Sequence, residues 1–275
     1  MKKFLLGGAA LAAMFVGPAM AADMPVKARP APVVAAYSWA GCYVGGTLGA
    51  DRGRSAFTWT GITESATGFA VSAATALPAA ANANLTRTGV TGGGEVGCNY
   101  QSGSFVYGIE GDWEYTGLSA RRTATSLGLG NGGNPGIIPG AITESWTSSW
   151  LATLRGRAGF AADRVYFYGT GGLALANVRY FDQNCFGAPA AIPGCNTAGG
   201  SNTRAGWAAG GGVEWAVSGN WSLKGEYLFA DLGKTTTNSL YTATAGGGNP
   251  FPQATIVHNH HLTESLLRAG LNYKF

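Results

Sequence analysis

Eight segments of the chain are strand-like, and in five of them apolar and polar residues alternate with a period of two, which is typical of β-strands with one apolar face. In one of them, Tyr107, Ile109 and Trp113 alternate with Glu110 and Asp112. Each segment is close to the roughly 9–11 residues that a tilted strand needs to cross a bilayer. The eight predicted strands span 41–51, 89–101, 105–116, 149–160, 164–178, 206–217, 220–231 and 264–275.

The connections between these strands alternate between short and long. Three are tight turns, at 102–104, 161–163 and 218–219. Four are long and rich in Gly, Ser, Thr, Asn and Pro, at 52–88, 117–148, 179–205 and 232–263. Outer-membrane barrels of bacteria combine an even strand count with short periplasmic turns and long external loops. The pattern therefore predicts an all-β fold: an eight-stranded antiparallel up-and-down transmembrane β-barrel with both termini in the periplasm.

The charged residues of the predicted strands fall on one parity. The exception is Asp231, at a strand end. Because a charged side chain that faces lipid at mid-bilayer costs about 2–4 kcal/mol, the apolar parity is expected to face lipid and the other parity the lumen. Aromatic residues near the strand ends are expected to form two interfacial girdles. The predicted girdle residues are Tyr43, Tyr100, Phe105, Trp113, Tyr115, Trp150, Phe160, Trp207, Trp215, Trp221 and Phe275.

The inward parity carries both acids and bases, so the sequence predicts a charge network in the lumen. An eight-stranded barrel is just wide enough for its own side chains to fill it, and a wide porin channel needs about sixteen strands. Buried opposite charges are expected to pair and fill the barrel, and a narrow hydrophilic path through shifting pairs is the alternative. The predicted network consists of Glu95, Glu110, Asp112, Glu114, Arg155, Arg157, Glu214, Lys224, Glu226 and Arg268, with Lys274 as a further candidate.

Composition and the N-terminus agree with export to the outer membrane. Residues 1–21 combine two lysines, an apolar run and a small-residue cleavage site, which predicts a signal peptide. Residues 22–38 form a Pro- and Ala-rich periplasmic leader, and 39–275 form the barrel. Only 12% of the residues are charged, against about 25% in an ordinary soluble protein. The net charge of +4 is scattered, so no nucleic-acid partner is expected.

Four cysteines in an exported chain indicate disulfides. Cys185 and Cys195 lie in one predicted loop around two prolines and are the favoured pair. Cys42 and Cys98 share the lipid-facing parity on neighbouring strands, and the sequence leaves open whether they pair.

Other candidate chemistry is weak. The histidines at 258, 260 and 261 lie in the fourth predicted loop without a fixed acidic or thiolate partner, so an ordinary polar loop is favoured over a metal site. No nucleophile elbow occurs. We therefore predict no catalytic, metal-binding or cofactor-binding residues, no cofactor and no enzymatic activity.

Several motifs resemble one known family. The leader with Trp39, Gly41 and Tyr43, the segments 96–115 and 206–233, and the terminal strand LLRAGLNYKF resemble the alphaproteobacterial (rhizobial and Brucella-type) small outer-membrane surface barrels, whose transmembrane part is OmpA-like. The resemblance covers the leader and the strands, and not the long loops. It implies an eight-stranded barrel with a role in envelope integrity and surface exposure, and it brings no catalytic residues.

Phe275, with Tyr273 and Leu271 on the same face, resembles the C-terminal signal read by the barrel-assembly machinery. The expected partners are therefore that machinery, outer-membrane lipid and lipopolysaccharide, and a possible surface or host partner. Three functions remain open at this stage: a structural surface barrel, a small porin-like diffusion channel, and an adhesin or host-interaction antigen that acts through its loops.

Overall fold

A computed structural model of the chain describes residues 37–63, 82–127, 139–186, 194–240 and 255–275. The predicted signal peptide and most of the predicted leader lie outside the described residues. Within the described ranges every regular element is a β-strand. The strands are β1 (Gly41–Thr63), β2 (Ala83–Ser102), β3 (Phe105–Leu127), β4 (Pro139–Ala162), β5 (Val165–Phe186), β6 (Gly194–Ser218), β7 (Trp221–Leu240) and β8 (Thr255–Lys274).

The eight strands close into a barrel. Each strand pairs antiparallel with its sequence neighbours, and β1 pairs with β8 from Tyr43 opposite Lys274 to Thr63 opposite Thr255. The predicted antiparallel up-and-down fold is therefore confirmed. No helix in the described ranges is long and apolar enough to span a bilayer.

Three tight turns lie together at one end of the barrel. Gly103, Asp163 and Gly219 occupy these turns with φ of 61°, 51° and 52°, a conformation that Gly adopts freely and Asp tolerates. The C-terminal residue lies at the same end, where the Phe275 N–H donates to the Cys42 carbonyl at 3.0 Å. We call this end the turn end, and the opposite end, where β1 finishes and β8 begins, the loop end.

The strands are longer than the sequence pattern predicted. They contain 20 to 25 residues, about twice what a membrane crossing needs. The described parts of the predicted loops 52–88, 117–148, 179–205 and 232–263 are mostly strand, so those loop predictions were wrong in extent. Past the membrane-crossing part, Ser, Thr, Asn and Arg replace apolar residues on the outer face, so the apolar signal ends before the strand does.

A band of exposed apolar side chains surrounds the barrel next to the turn end. Leu48, Val90 and Phe275 are 71%, 76% and 72% exposed, and no charged side chain stands among the outward residues of the band. Nine of the predicted girdle aromatics are exposed there and Trp150 is half-buried. Tyr43 was wrongly placed: it is 3% exposed and faces the interior. The many glycines of β1 leave its alternation too weak to assign a face.

Beyond the band the wall divides into two sheets. Pairing between β2 and β3 ends at Gly92 opposite Tyr115, and pairing between β6 and β7 ends at Trp207 opposite Asp231. The other six strand pairs continue toward the loop end. The loop end therefore consists of two four-stranded sheets, β7-β8-β1-β2 and β3-β4-β5-β6, which face each other across the barrel axis.

Candidate functional site in the barrel interior

All ten residues of the predicted charge network lie inside the barrel within the band. Each is at most 7% exposed, because each stands on the inward parity of its strand. They come from six strands: Glu95 from β2, Glu110, Asp112 and Glu114 from β3, Arg155 and Arg157 from β4, Glu214 from β6, Lys224 and Glu226 from β7, and Arg268 from β8. The candidate Lys274 lies elsewhere: its ammonium group lies 4.4 Å above the Tyr37 ring at the turn end.

Arg155 is the centre of the network. Its guanidinium contacts Glu110 at 2.5 Å, Asp112 at 2.8 Å and Glu226 at 3.0 Å. Arg268 binds Glu226 at 2.6 Å and Asp112 at 3.2 Å from the opposite wall. The two arginines thus share carboxylates on β3 and β7, and their hydrogen bonds join facing walls of the barrel.

Arg157 closes the network toward the turn end. It contacts Glu110 at 2.9 Å and Glu214 at 2.6 Å, and its guanidinium lies 4.2 Å from the centre of the Tyr168 ring. The Tyr43 hydroxyl, which sequence reasoning missed, accepts from Arg157 at 2.5 Å and donates to Glu110 at 2.5 Å. Arginine is therefore held by both ion pairs and aromatic faces, an arrangement that stabilises a buried cation.

Lys224 is the fourth cation of the network. It binds Glu95 and lies 3.2 Å from Glu110. Every basic group of the network therefore contacts at least two carboxylates. Such contacts offset the large cost of moving charges out of water.

Two further carboxyl groups lie where the band meets the loop end. Asp51 and Glu264 are fully buried, and none of their four oxygens makes a hydrogen bond. Asp51 pairs with Leu266, and Glu264 pairs with Gly53, so the two are diagonal neighbours on the inner face of β1 and β8. Sequence reasoning missed both, although each stands at the end of a predicted strand on the inward parity.

With this pair, acids outnumber bases inside the band. Eight buried carboxyl groups (the six of the network, Asp51 and Glu264) face four buried bases. Two of the eight have no cation of the described residues in contact with them. They are the part of the interior with the least compensated charge.

An apolar layer fills the interior beyond the carboxyl pair. Trp146 is its largest member, and its indole N–H donates to the Leu85 carbonyl at 3.3 Å on the other sheet. The layer packs side chains of both sheets against each other and contains Phe57, Leu85, Leu118, Trp146, Leu151, Val178, Tyr180, Leu228, Leu232, Leu262 and Leu266.

The turn end is covered by the segment that leads into β1. Trp39 is 2% exposed and packs against Val106, Tyr166 and Ala216. Its backbone N–H donates to the Gln101 side chain at 2.7 Å, and its indole N–H donates to the Asp163 carbonyl at 3.1 Å. These bonds hold an aromatic cap over the lumen.

The loop end carries a second, smaller polar cluster. His258 and His260 lie buried on the inner face of β8, so their prediction as loop residues was wrong. His260 Nε2 lies 3.0 Å from Asp182 and 2.9 Å from Thr237. His258 Nε2 accepts from the Asn184 amide at 3.2 Å. The described residues hold no group of three or more His, Cys, Asp or Glu side chains placed to bind a metal ion.

Burial changes the acid–base behaviour of this cluster. Desolvation, with the neighbouring Asp182 carboxylate, raises the pKa of Glu144 to about 8, although Arg122 opposes the shift. Desolvation also lowers the pKa of His258, with Asp182 opposing and His260 assisting. Both groups therefore favour their neutral forms inside the loop end.

Two disulfides join neighbouring strands. Cys185 and Cys195 stand directly opposite each other on β5 and β6 and are bonded; they lie in strands, where the sequence pattern suggested a loop. Cys42 and Cys98, whose pairing the sequence left open, are bonded between β1 and β2. Both bridges hold strand pairs and leave no free cysteine in the chain.

The predicted assembly-signal residues face outward at the turn end. Leu271, Tyr273 and Phe275 are 47%, 40% and 72% exposed and belong to the lipid-facing band. Their outward position leaves them accessible from the membrane side of β8.

Known outer-membrane proteins resemble the chain in sequence over most or all of its length. The 31 kDa outer-membrane immunogenic protein of Brucella melitensis is 30% identical over 280 residues, which cover 100% of both chains. The 22 kDa outer membrane protein of Rhizobium leguminosarum bv. viciae is 26% identical over 74% of this chain and 69% of its own length. Among solved structures, OprG of Pseudomonas aeruginosa superposes with a TM-score of 0.40 at 10% identity, covering 86% of this chain and 97% of its own.

The family comparison agrees with these relatives and with the barrel. The sequence model of the outer membrane protein beta-barrel domain matches residues 9–275, which include every strand of the structure. The chain therefore belongs to the outer membrane protein β-barrel domain family and is an outer-membrane protein.

Proposed function

We propose that the chain is a closed structural barrel that contributes to the integrity of the outer membrane and presents its loop end at the cell surface. The observation that carries this proposal is the filled interior. Along the barrel axis, the aromatic cap around Trp39, the ion-pair network around Arg155 and the apolar layer around Trp146 follow one another.

The interior disfavours the alternative of a small diffusion channel. A hydrated solute would first have to separate Arg155 from Glu110, Asp112 and Glu226, which leaves buried charges unpaired. It would then have to cross a layer that offers apolar side chains where a channel needs polar ones. The network alone is compatible with a narrow path, whereas the network and the apolar layer in series support the closed barrel.

A gene deletion in the native host tests the proposed role. We expect the deletion strain to become more sensitive to detergent, while its uptake of small sugars stays unchanged. The wild-type gene supplied on a plasmid should restore resistance. Reduced sugar uptake with unchanged detergent sensitivity would support the channel and contradict the structural role.

We further propose that the turn end faces the periplasm. Short turns face the periplasm in outer-membrane barrels, and the turns at Gly103, Asp163 and Gly219 lie with the C-terminus at one end. An epitope inserted between β7 and β8 should bind antibody on intact cells. The same epitope inserted at Gly219 should bind only after the outer membrane is permeabilised. The reverse result would overturn the orientation.

The exposed loop end also favours a surface-antigen role as a second candidate. The Brucella relative is named an immunogenic protein, and the two sheets of the loop end extend well beyond the apolar band. Serum raised against whole cells should recognise the wild-type protein on the cell surface. Its binding should fall when the segments that connect the strands at the loop end are shortened.

For biogenesis, we propose that the barrel-assembly machinery reads Phe275 with Tyr273 and Leu271. Their outward position on the last strand supports this role. Removing Phe275 should lower the fraction of folded protein in cell membranes and leave refolding of the purified chain into detergent largely intact. Equal losses in both assays would mean that Phe275 acts only through stability.

A further inference from the structure

The outer wall of the loop end carries charge of one sign. Five basic side chains point outward there and are exposed, and the described residues provide no ion-pair partner for any of them. We call this set the basic collar; it consists of Arg52, Arg54, Arg121, Arg179 and Lys234. The interior of the same barrel holds an excess of acids. The chain thus segregates its charges, with surplus acids inside and bases outside.

Acidic side chains are almost missing from this outer wall. Among the described residues of the loop end, Asp231 is the one acid on the outer face, and it lies 2.9 Å from His261 and accepts from the Gly233 N–H. The segments 64–81, 128–138, 187–193 and 241–254 contain one charged residue in sequence, Glu64. The collar therefore has little opposing charge of its own.

The basic collar lies directly beyond the lipid-facing band. Arg52 is two residues past Ala50, and Arg179 is four residues past Leu175. At about 3.3 Å per residue, the first collar side chains begin roughly 7–13 Å along the strand from the last lipid-facing residues. Because the strands of such barrels tilt by about 35–45°, this path rises roughly 5–10 Å along the bilayer normal. It therefore reaches the headgroups, since the polar region adds about 5–8 Å to each side of the hydrocarbon core.

The collar also surrounds the barrel. Its members stand on β1, β3, β5 and β7, which include strands of both sheets. A folded protein partner would contact one side of the barrel and leave the other collar residues without a role. A membrane surface contacts all sides at once.

We propose that the basic collar binds the phosphate groups of anionic lipid headgroups in the leaflet around the loop end. Arginine donates paired hydrogen bonds that match phosphate oxygens, and the attraction falls with salt because the groups are exposed. In the orientation proposed above, this leaflet is the outer one, whose phosphorylated glycolipid is lipopolysaccharide.

A binding measurement with the folded protein in zwitterionic detergent micelles tests the proposal. The probes are lipid A with its two phosphates and the same lipid after removal of both phosphates. We expect the wild-type protein to bind the phosphorylated lipid about tenfold more tightly or better, since each basic residue near a charged surface contributes measurably. Added salt should reduce the preference.

Two variants separate the collar from other basic residues. Replacing Arg52, Arg54, Arg121 and Arg179 together by Gln should abolish the preference for phosphorylated lipid. Arg164→Gln, at the turn end, should preserve it. Charge reversal at Lys234 alone (Lys234→Glu) should lower the preference for phosphorylated lipid partially. Heat-dependent gel mobility verifies that each variant is folded.

Competition identifies the source of the phosphate. Free inorganic phosphate or soluble polyphosphate at matched phosphate concentration should not displace the lipid. If either displaces it, or if the four-residue variant keeps the preference, the proposal is overturned. The micelle assay depends neither on orientation nor on conduction, so its outcome is independent of the function proposed above.

Discussion

The band and the loop end of the same barrel distribute their apolar and charged side chains in opposite ways. In the band, the outer face carries residues such as Leu48 and Val90, and the interior carries the charged network around Arg155. At the loop end, the outer face carries exposed bases such as Arg54, and the interior carries apolar residues such as Trp146.

The difference shows that the solvent outside each region decides its interior. Where lipid surrounds the wall, the outward parity must be apolar, and polar residues collect inside. Where water surrounds the wall, the burial of apolar area stabilises the structure, so two sheets pack their apolar faces together as in a soluble sandwich. The strands continue through both regions. Their outward positions are apolar in the band and polar at the loop end, and their inward positions show the reverse.

The exchange of apolar and polar faces occurs at one level along the barrel axis. β-Bulges between Tyr115 and Leu118, between Ser148 and Leu151 and between Asp231 and Lys234 lie there, and Gly117 and Gly233 adopt positive φ beside two of them. Bulges alter local twist and can end pairing. The sheet divides into two at the same level.

The largest effect on stability is expected from removing a buried charge in the interior of the band. Arg155→Met removes a cation from three buried carboxylates, so it should lower the free energy of unfolding by about 3–5 kcal/mol. Denaturant unfolding in phospholipid vesicles, followed by heat-dependent gel mobility, measures the change. Arg164→Met, which removes an exposed base at the turn end, should change it by less than about 0.5 kcal/mol. Equal effects would mean that the network is not structural.

The apolar interior should respond to loss of volume. Leu262→Ala, in the apolar layer of the loop end, should cost about 2–4 kcal/mol through the cavity that it leaves. Leu267→Ala, on the same strand but 66% exposed toward lipid, opens no internal cavity and should cost clearly less. A larger cost at Leu267 would contradict the assignment of the two faces.

The boundary between the interiors should respond to removal of charge. Asp51→Asn removes one of two diagonal buried carboxyl groups that lack hydrogen-bond donors, so it should raise stability at pH 8 by about 1–2 kcal/mol. The gain should shrink at pH 5, where protons relieve the repulsion in the wild type. Destabilisation at pH 8 would show that a cation already compensates the pair.

The polar cluster of the loop end should give an effect that appears only as pH dependence. The pKa of Glu144 rises from an ordinary 4.5 to about 8 in the fold, so its contribution to stability is complete below pH 4.5 and is lost as the pH rises toward 8. Glu144→Gln should remove this decline, a slope of at most about 1.4 kcal/mol per pH unit.

The other groups that face Glu144 stay in place in that variant. Asp182 and Arg122 are unchanged, so unfolding curves between pH 4.5 and 8 compare the two proteins directly. An identical slope in wild type and variant would show that another group titrates.

The sequence predicted the strands of the band because their two parities differ sharply. In a membrane, this alternation allows one orientation of the strand, with Tyr107, Ile109 and Trp113 toward lipid and Glu110 and Asp112 toward the interior. The same parity placed all ten network residues inward. Strand count, closure and the positions of the three tight turns followed from the same pattern.

The loop end could not be predicted in the same way. Its strands carry Ser, Thr and Gly on many positions, and its apolar residues, such as Phe57 and Leu85, are too widely spaced to mark a strand alone. Their role depends on packing between two sheets whose division at Gly92 and Trp207 is a property of the tertiary structure. His258 and His260 were assigned to a loop for the same reason.

Single-channel recording in a planar bilayer, on the chain without its predicted signal peptide (residues 22–275), asks directly whether the interior is closed. We expect no discrete conductance steps from protein whose folding is verified by gel mobility, because the ion-pair network and the apolar layer lie in series along the lumen. Reproducible steps from the folded wild-type protein would contradict the closed barrel and favour the diffusion channel.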